Sequence, residues 1–191
     1  MQKKIKKKVA VPFNDHRSKK IIVLTHCILN QNARIDGAAN LKGVISQVLN
    51  VVVKRGYGVL QMPCPEIVVS DLRRSKRTKE MPYVRQMLET KEGRKQCYQL
   101  AKDIVKQIKD YINNGFFIPA IIGKDGSPAC GVVTTSKPGK PDTPGDGVFI
   151  EELHKVLIKN EIDIPIIGMK DDNKKDIKKT VKWLEDNLKL E

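Results

Sequence analysis

The chain has 191 residues, 40% of them hydrophobic and 30% charged, with a formal net charge of +14. That length lies in the single-domain range and allows a real core. No apolar run approaches the roughly 20 residues of a membrane helix, and the first 20 residues have no apolar core, so neither a membrane span nor a signal peptide is expected.

A cytoplasmic location follows as the expectation, and in a reducing compartment four cysteines point to metal or catalysis before disulfides. Residues 1–19, with the Lys3–Lys8 run, read as a basic, flexible arm. The excess charge fits an acidic partner such as RNA, or lysines spread over the solvated faces of helices. No aromatic-basic nucleic-acid motif is visible along the chain.

Residues 20–191 alternate strands and helices. Residues 20–26 form a continuous apolar run, as in a strand buried on both faces. Leu41, Val44, Ile45, Val48 and Val52 follow helical spacing, and Gly56 closes that helix. Residues 57–62 read as the second strand. The basic segment SDLRRSKRTKEMPYVRQ lacks a period and reads as a functional loop or lid. Ala101, Ile104, Val105, Ile108 and Ile112 mark a helix ended by Gly115. FFIPAIIG is the third strand, against which Pro119 is an objection, and IDIPIIGM the fourth, with the same objection from Pro165. Between them lie a Pro/Gly loop at 136–147 and a helix at about 147–160 with Phe149, Leu153 and Leu157 toward the core. Ile177, Val181, Leu184 and Leu188 give the last helix. The pattern predicts one Rossmann-like α/β domain, a mainly parallel sheet with helices on both faces.

Cys27 ends IIVLTHC, Cys64 ends YGVLQMPC, and Cys130 lies in GKDGSPAC after the third strand. In such a sheet, ligands bind at the carboxyl ends of the strands. Each of these cysteines therefore falls on the edge where a site is expected, whereas Cys97 continues the apolar face of a helix and reads as core. Three thiolates on one edge suit an iron–sulfur cluster with one iron left without a protein ligand.

Neighbouring residues add candidates, each with a plainer alternative. Glu66 is either a proton-handling carboxylate beside a metal or a capping glutamate. Lys124 and Ser127 either bind an anionic group or stabilise a turn, and Gly126 with Gly131 allows close backbone approach and exposed amides. Asn30 and Asn32 either read the edge of a planar heterocycle or satisfy turn amides. Asp146 reads as a helix cap, and the helix it opens as a receptor for phosphate. His26 adjoins Cys27, but no CxxC or HxxxH pattern supports zinc.

The motifs THCILNQNARIDG, MPCPE, GKDGSPACG and GDGVFIEEL together resemble the thiouracil desulfidase (TudS) family of small iron–sulfur desulfidases, over roughly residues 20–168. Ala33 stands where many members carry a further cysteine, which leaves the three-ligand set intact. Thr25 and His26 replace a common small-residue pair. The resemblance implies a [4Fe-4S] cluster held by Cys27, Cys64 and Cys130, with one iron not ligated by protein. It implies non-redox desulfuration of a thiolated uracil base, nucleoside or nucleotide, releasing hydrogen sulfide. Catalytic roles then fall to Glu66, Ser127 and Lys124, and substrate contacts to Asn30, Asn32, Gly126, Ser127 and Asp146. Open alternatives are thiolated uridine in tRNA as substrate, a non-catalytic redox or sulfur-carrying protein completed by Cys97 or His26, a zinc site, and a homodimer rather than a monomer.

Overall fold

The computed structural model describes residues 13–72 and 83–189. The Lys3–Lys8 run and most of the basic segment expected as a lid lie outside the described residues.

In chain order the elements are β1 (Ile21–Thr25), α1 (His26–Leu29), a 3-10 turn at Gln31–Ala33, α2 (Ser46–Lys54), β2 (Gly58–Met62), α3 (Pro65–Val69), α4 (Val84–Glu89), α5 (Lys91–Asn113), β3 (Ile121–Lys124), β4 (Thr134–Lys137), β5 (Lys140–Pro144), α6 (Val148–Lys159), β6 (Ile166–Met169) and α7 (Lys174–Asn187). Four strands form one sheet in the order β2-β1-β3-β6, and every pairing in it is parallel. Among the described residues no helix is long and apolar enough to cross a membrane.

All five residues of β1 are buried, because both faces of the sheet are covered. Ile21 and Val23 face one core with Val84 and Leu88 of α4, Ala101, Ile104 and Ile108 of α5, and Phe149 and Leu153 of α6. Ile22 and Leu24 face the other, with Val48 and Val52 of α2 and Ile177 and Leu184 of α7. The expected Rossmann-like architecture, with helices on both faces, is therefore present. Phe149, Leu153 and Leu157 are buried as the spacing predicts, and so is Cys97, in the core on α5.

Several boundaries differ from the sequence expectation, each for a physical reason. Leu41 and Val44 precede the helix rather than begin it. The Gly43 carbonyl accepts from Gln31 N and the Ile45 amide donates to Ile28 O, which holds that stretch as an irregular loop. Pro119 and Pro165 lie just before β3 and β6, so neither removes a donor from a strand; the Pro165 carbonyl even accepts from Ile121 N. The Pro/Gly stretch at 136–147 is in large part the antiparallel hairpin β4–β5 rather than a loop. The basic segment includes the start of α4, and CPE opens the short helix α3.

The start of α6 fixes the turn that carries Cys130. Its first amides have no intrahelical acceptor. Val148 N donates to Pro128 O, and Phe149 N and Ile150 N donate to Ala129 O. Gly147 lets the two segments touch: a Cβ there would stand 2.3 Å from the Ala129 carbonyl and 2.8 Å from Cys130 N. Since all of these are backbone atoms, Gly147→Ala is expected to cost about 1–3 kcal/mol, read from the urea unfolding midpoint at unchanged slope.

Candidate functional site

Four parallel strands end on one edge, and the segments leading away from them enclose a cavity of about 310 Å³. Cys27, in α1, comes from the end of β1, and Cys64 from the end of β2 as the residue capping α3. Cys130 comes six residues after β3, in a turn closed by Lys124 N donating to Cys130 O at 2.8 Å. All three line that cavity, together with His26, Arg34, Glu66, Lys124 and Lys137, and Cys97 does not. None of the four cysteines, all of them among the described residues, is in a disulfide.

Burial pushes the Cys27 thiol up to about 11, against the opposing pull of the Arg34 and Lys124 charges. Cys130 is raised well above the usual thiol range, first by burial and then by the neighbouring Cys64, Cys27 and Glu66. Without a bound cation these two thiols stay protonated at neutral pH. The mutual repulsion of the cysteines as thiolates is what a metal centre neutralises, with release of protons. The donor set thus fits a cluster ligated by three cysteines. Among the described residues no three His, Cys, Asp or Glu side chains are grouped to hold a single metal ion.

Ser127 organises the Cys130 turn. Its Oγ accepts from Ala129 N at 3.1 Å and Cys130 N at 2.9 Å, and donates to Glu66 Oε1 at 2.9 Å. The hydroxyl thereby orients the Glu66 carboxylate, and Ser127 itself lines the cavity. The amides of Gly126, Ser127 and Gly131 also donate inside the protein, to Thr134 O, Lys124 O and Ser127 O. The exposed amides expected in this turn are therefore spent on the turn itself. Gly126 lines the cavity with φ 78°, a conformation that favours glycine. Asp125 Oδ1 ties the far side of the turn by accepting from Val132 N and Val133 N at 3.0 and 2.9 Å.

Lys124 is buried, donates to Asp125 O at 2.7 Å, and pairs with Asp171 Oδ1 at 3.2 Å. Asp171 Oδ2 accepts from Arg34 at 2.5 Å and from Gln31 Nε2 at 3.2 Å, while Gln31 also donates to Cys27 O at 2.8 Å. Burial alone would raise the Asp171 pKa; the Arg34 hydrogen bond and the Lys124 and Arg34 charges outweigh it and hold the carboxyl below its usual range. The sequence reading missed Asp171. The rule that selected the cysteines also selects it, since it follows the end of β6 by two residues.

Three other expectations change. Asn30 accepts from both the backbone and side-chain nitrogens of Asn32, so the pair caps its own 3-10 turn, and neither residue lines the cavity. Asp146 makes no cap: Gly147 holds that position, and the Asp146 carboxylate lies 3.7 Å from His154 Nε2. The start of α6 is not a phosphate receptor, because its amides are taken by Pro128 and Ala129.

Fold and site together define a single-domain α/β protein with a three-thiol cavity at the carboxyl edge of a parallel sheet. The uncharacterized protein MJ0003 of Methanocaldococcus jannaschii is 32% identical over 174 residues, which span 91% of this chain and 99% of that protein. The chain belongs to the family of that protein. No protein-family model matches the chain. No solved structure matches it either.

Replacing Asp171 by Ala takes the carboxylate from Arg34 and leaves the buried Lys124 only the longer 3.8 Å pair with the exposed Asp172, and is expected to cost about 3–5 kcal/mol in urea unfolding at pH 7. A depressed folded pKa means that the stabilisation is present above the unfolded value, near 3.9, and lost as pH falls through the folded value. Unfolding between pH 6 and pH 2 checks the sign: Asp171→Asn removes part of the acid destabilisation that the native chain shows.

Proposed function

We propose that the protein is an iron–sulfur-dependent desulfidase that converts a thiolated uracil base, nucleoside or nucleotide to its oxo form. The observation that carries this reading is the arrival of Cys27, Cys64 and Cys130 in one cavity with the Glu66–Ser127 pair, while the fourth cysteine stays in the core. Similarity to the desulfidase motifs supplies the substrate class. The three thiols would hold a [4Fe-4S] cluster, which when bound supplies an open iron acting as a Lewis acid toward soft sulfur.

This chain's own groups do the rest. Ser127 holds the Glu66 carboxylate through Oε1, so the carboxylate faces the cavity in a fixed orientation. Glu66 takes a proton from water as the water oxygen bonds to the thiocarbonyl carbon, and returns it to the departing sulfur. The C–S bond breaks, and the balance is thiocarbonyl plus water giving carbonyl plus hydrogen sulfide, with no change of oxidation state. Lys137, exposed on the cavity wall, carries the positive charge that attracts an anionic substrate; Arg34, like Lys124, is already paired with Asp171. Lys124 acts at a distance, since its ammonium is already paired with Asp171.

Anaerobic reconstitution followed by a sulfide-release assay on 4-thiouracil, its nucleoside and its nucleotide tests the reading. Cys27→Ala, Cys64→Ala and Cys130→Ala each lose bound iron, acid-labile sulfide and activity, whereas Cys97→Ala keeps all three. Glu66→Gln keeps the cluster and loses about 10²–10⁴ in kcat. Full activity in cluster-free protein overturns the proposal.

A further inference from the structure

The linear sequence lacks a motif mixing aromatic and basic residues, yet folding assembles one at the opposite edge of the sheet. Lys19 and Lys20 lead into β1, Phe116 and Phe117 precede β3, and Lys189 follows α7, which returns to the same edge. Phe13 stands edge-on to Phe116 with ring centroids 5.8 Å apart, and Phe116 to Tyr111 at 5.1 Å. The Arg17 guanidinium lies 3.8 Å from the centre of the Phe13 ring, and Lys19 Nζ 6.0 Å from it. Lys189 Nζ lies 5.1 Å from the centre of Phe117. Phe13 and Phe117 are 40% and 42% exposed, so part of each ring is open to a partner.

The root of this surface is fixed. Phe117 N donates to Lys19 O at 2.8 Å, and Lys20 and Phe117 form a parallel bridge. Among the described residues leading into β1, Arg17, Lys19 and Lys20 are cationic and Asp15 is acidic. Asp15 pairs with Arg17, which holds the guanidinium over the Phe13 ring.

We propose that this edge is a docking surface for single-stranded RNA. Each ring carries a cation over one face, and its remaining exposed surface offers contact to unpaired bases, with the ammonium and guanidinium groups at hand for phosphates. A duplex hides its base faces. The surface lies at the amino ends of the strands, about 17 Å or more from the cavity at ~3.3 Å per strand residue, so it stands independently of what the cavity does.

Fluorescence anisotropy of the full chain against a labelled single-stranded RNA of roughly 12 nucleotides tests this, with the matching duplex, inorganic polyphosphate and phosphatidylglycerol vesicles as the other arms. Single-stranded RNA is expected to bind in preference to the other three, with affinity falling as salt rises. Phe13→Leu and Phe117→Leu keep apolar bulk but lose the ring face, and each is expected to weaken binding by about 5- to 150-fold without changing the salt slope. Replacing both Arg17 and Lys19 by Ala is expected to reduce that slope by about 1.4. Thermal unfolding checks that the variants fold. Equal binding of polyphosphate or duplex with the leucine variants unaffected overturns the proposal, as does binding of vesicles but not RNA, or no RNA binding at low salt.

Discussion

At the carboxyl edge of the sheet, one buried carboxylate faces two cations that come from different parts of the chain. Asp171 follows β6, Arg34 follows the 3-10 turn after β1, and Lys124 ends β3. Each would be unfavourable to bury alone, and together they close the space between three loops. Gln31 extends the tie to the backbone of Cys27, and Asn40 extends it by donating to the Asp171 carbonyl. The position of the first thiol thus depends on an ion pair formed some 140 residues further along the chain. Without it two cations that line the cavity, Arg34 and Lys124, would lose the carboxylate that holds them together.

A second lock works by hydrogen bonds alone. The turn from Ser127 to Gly131 satisfies its own amides, borrows the first amides of α6, and holds the Glu66 carboxylate through a single hydroxyl. The cost is that almost no backbone donor in this turn remains for a ligand. Side chains, Arg34, Lys137 and His26 among them, supply the polar groups that line the cavity beyond this turn. His26 Nδ1 lies 3.0 Å from Gln61 Nε2, and burial lowers the pKa of the ring.

The fold was legible because its signals are local and repeated. The unbroken apolar run of β1 announces a strand covered on both faces, and the spacing of Cys97, Ala101, Ile104 and Ile108 announces the buried face of α5. The grouping of Cys27, Cys64 and Cys130 was legible too, because the sheet topology carries strand ends to one edge. What escaped were partnerships. Nothing near Ser127 in sequence says that its hydroxyl is shared between two amides and a carboxylate 61 residues away. Nothing near Asp171 says that Arg34 and Lys124 converge on it. The aromatic-basic edge escaped for the same reason: Phe13, Phe117 and Lys189 are neighbours only once the sheet exists.

The three thiols are not held with equal stiffness. Cys27 and Cys130 follow β1 and β3, the inner strands of the sheet, each paired on both sides. Cys64 follows β2, an edge strand joined to the sheet by one ladder of five residue pairs, with Val59 and Gln61 exposed along it. Two corners of the triangle are thus set by inner strands and the third by an edge strand. The Glu66 carboxylate, two residues beyond Cys64, accepts from Ser127 in the Cys130 turn, so one hydrogen bond ties the edge-strand corner of the cavity to an inner-strand corner.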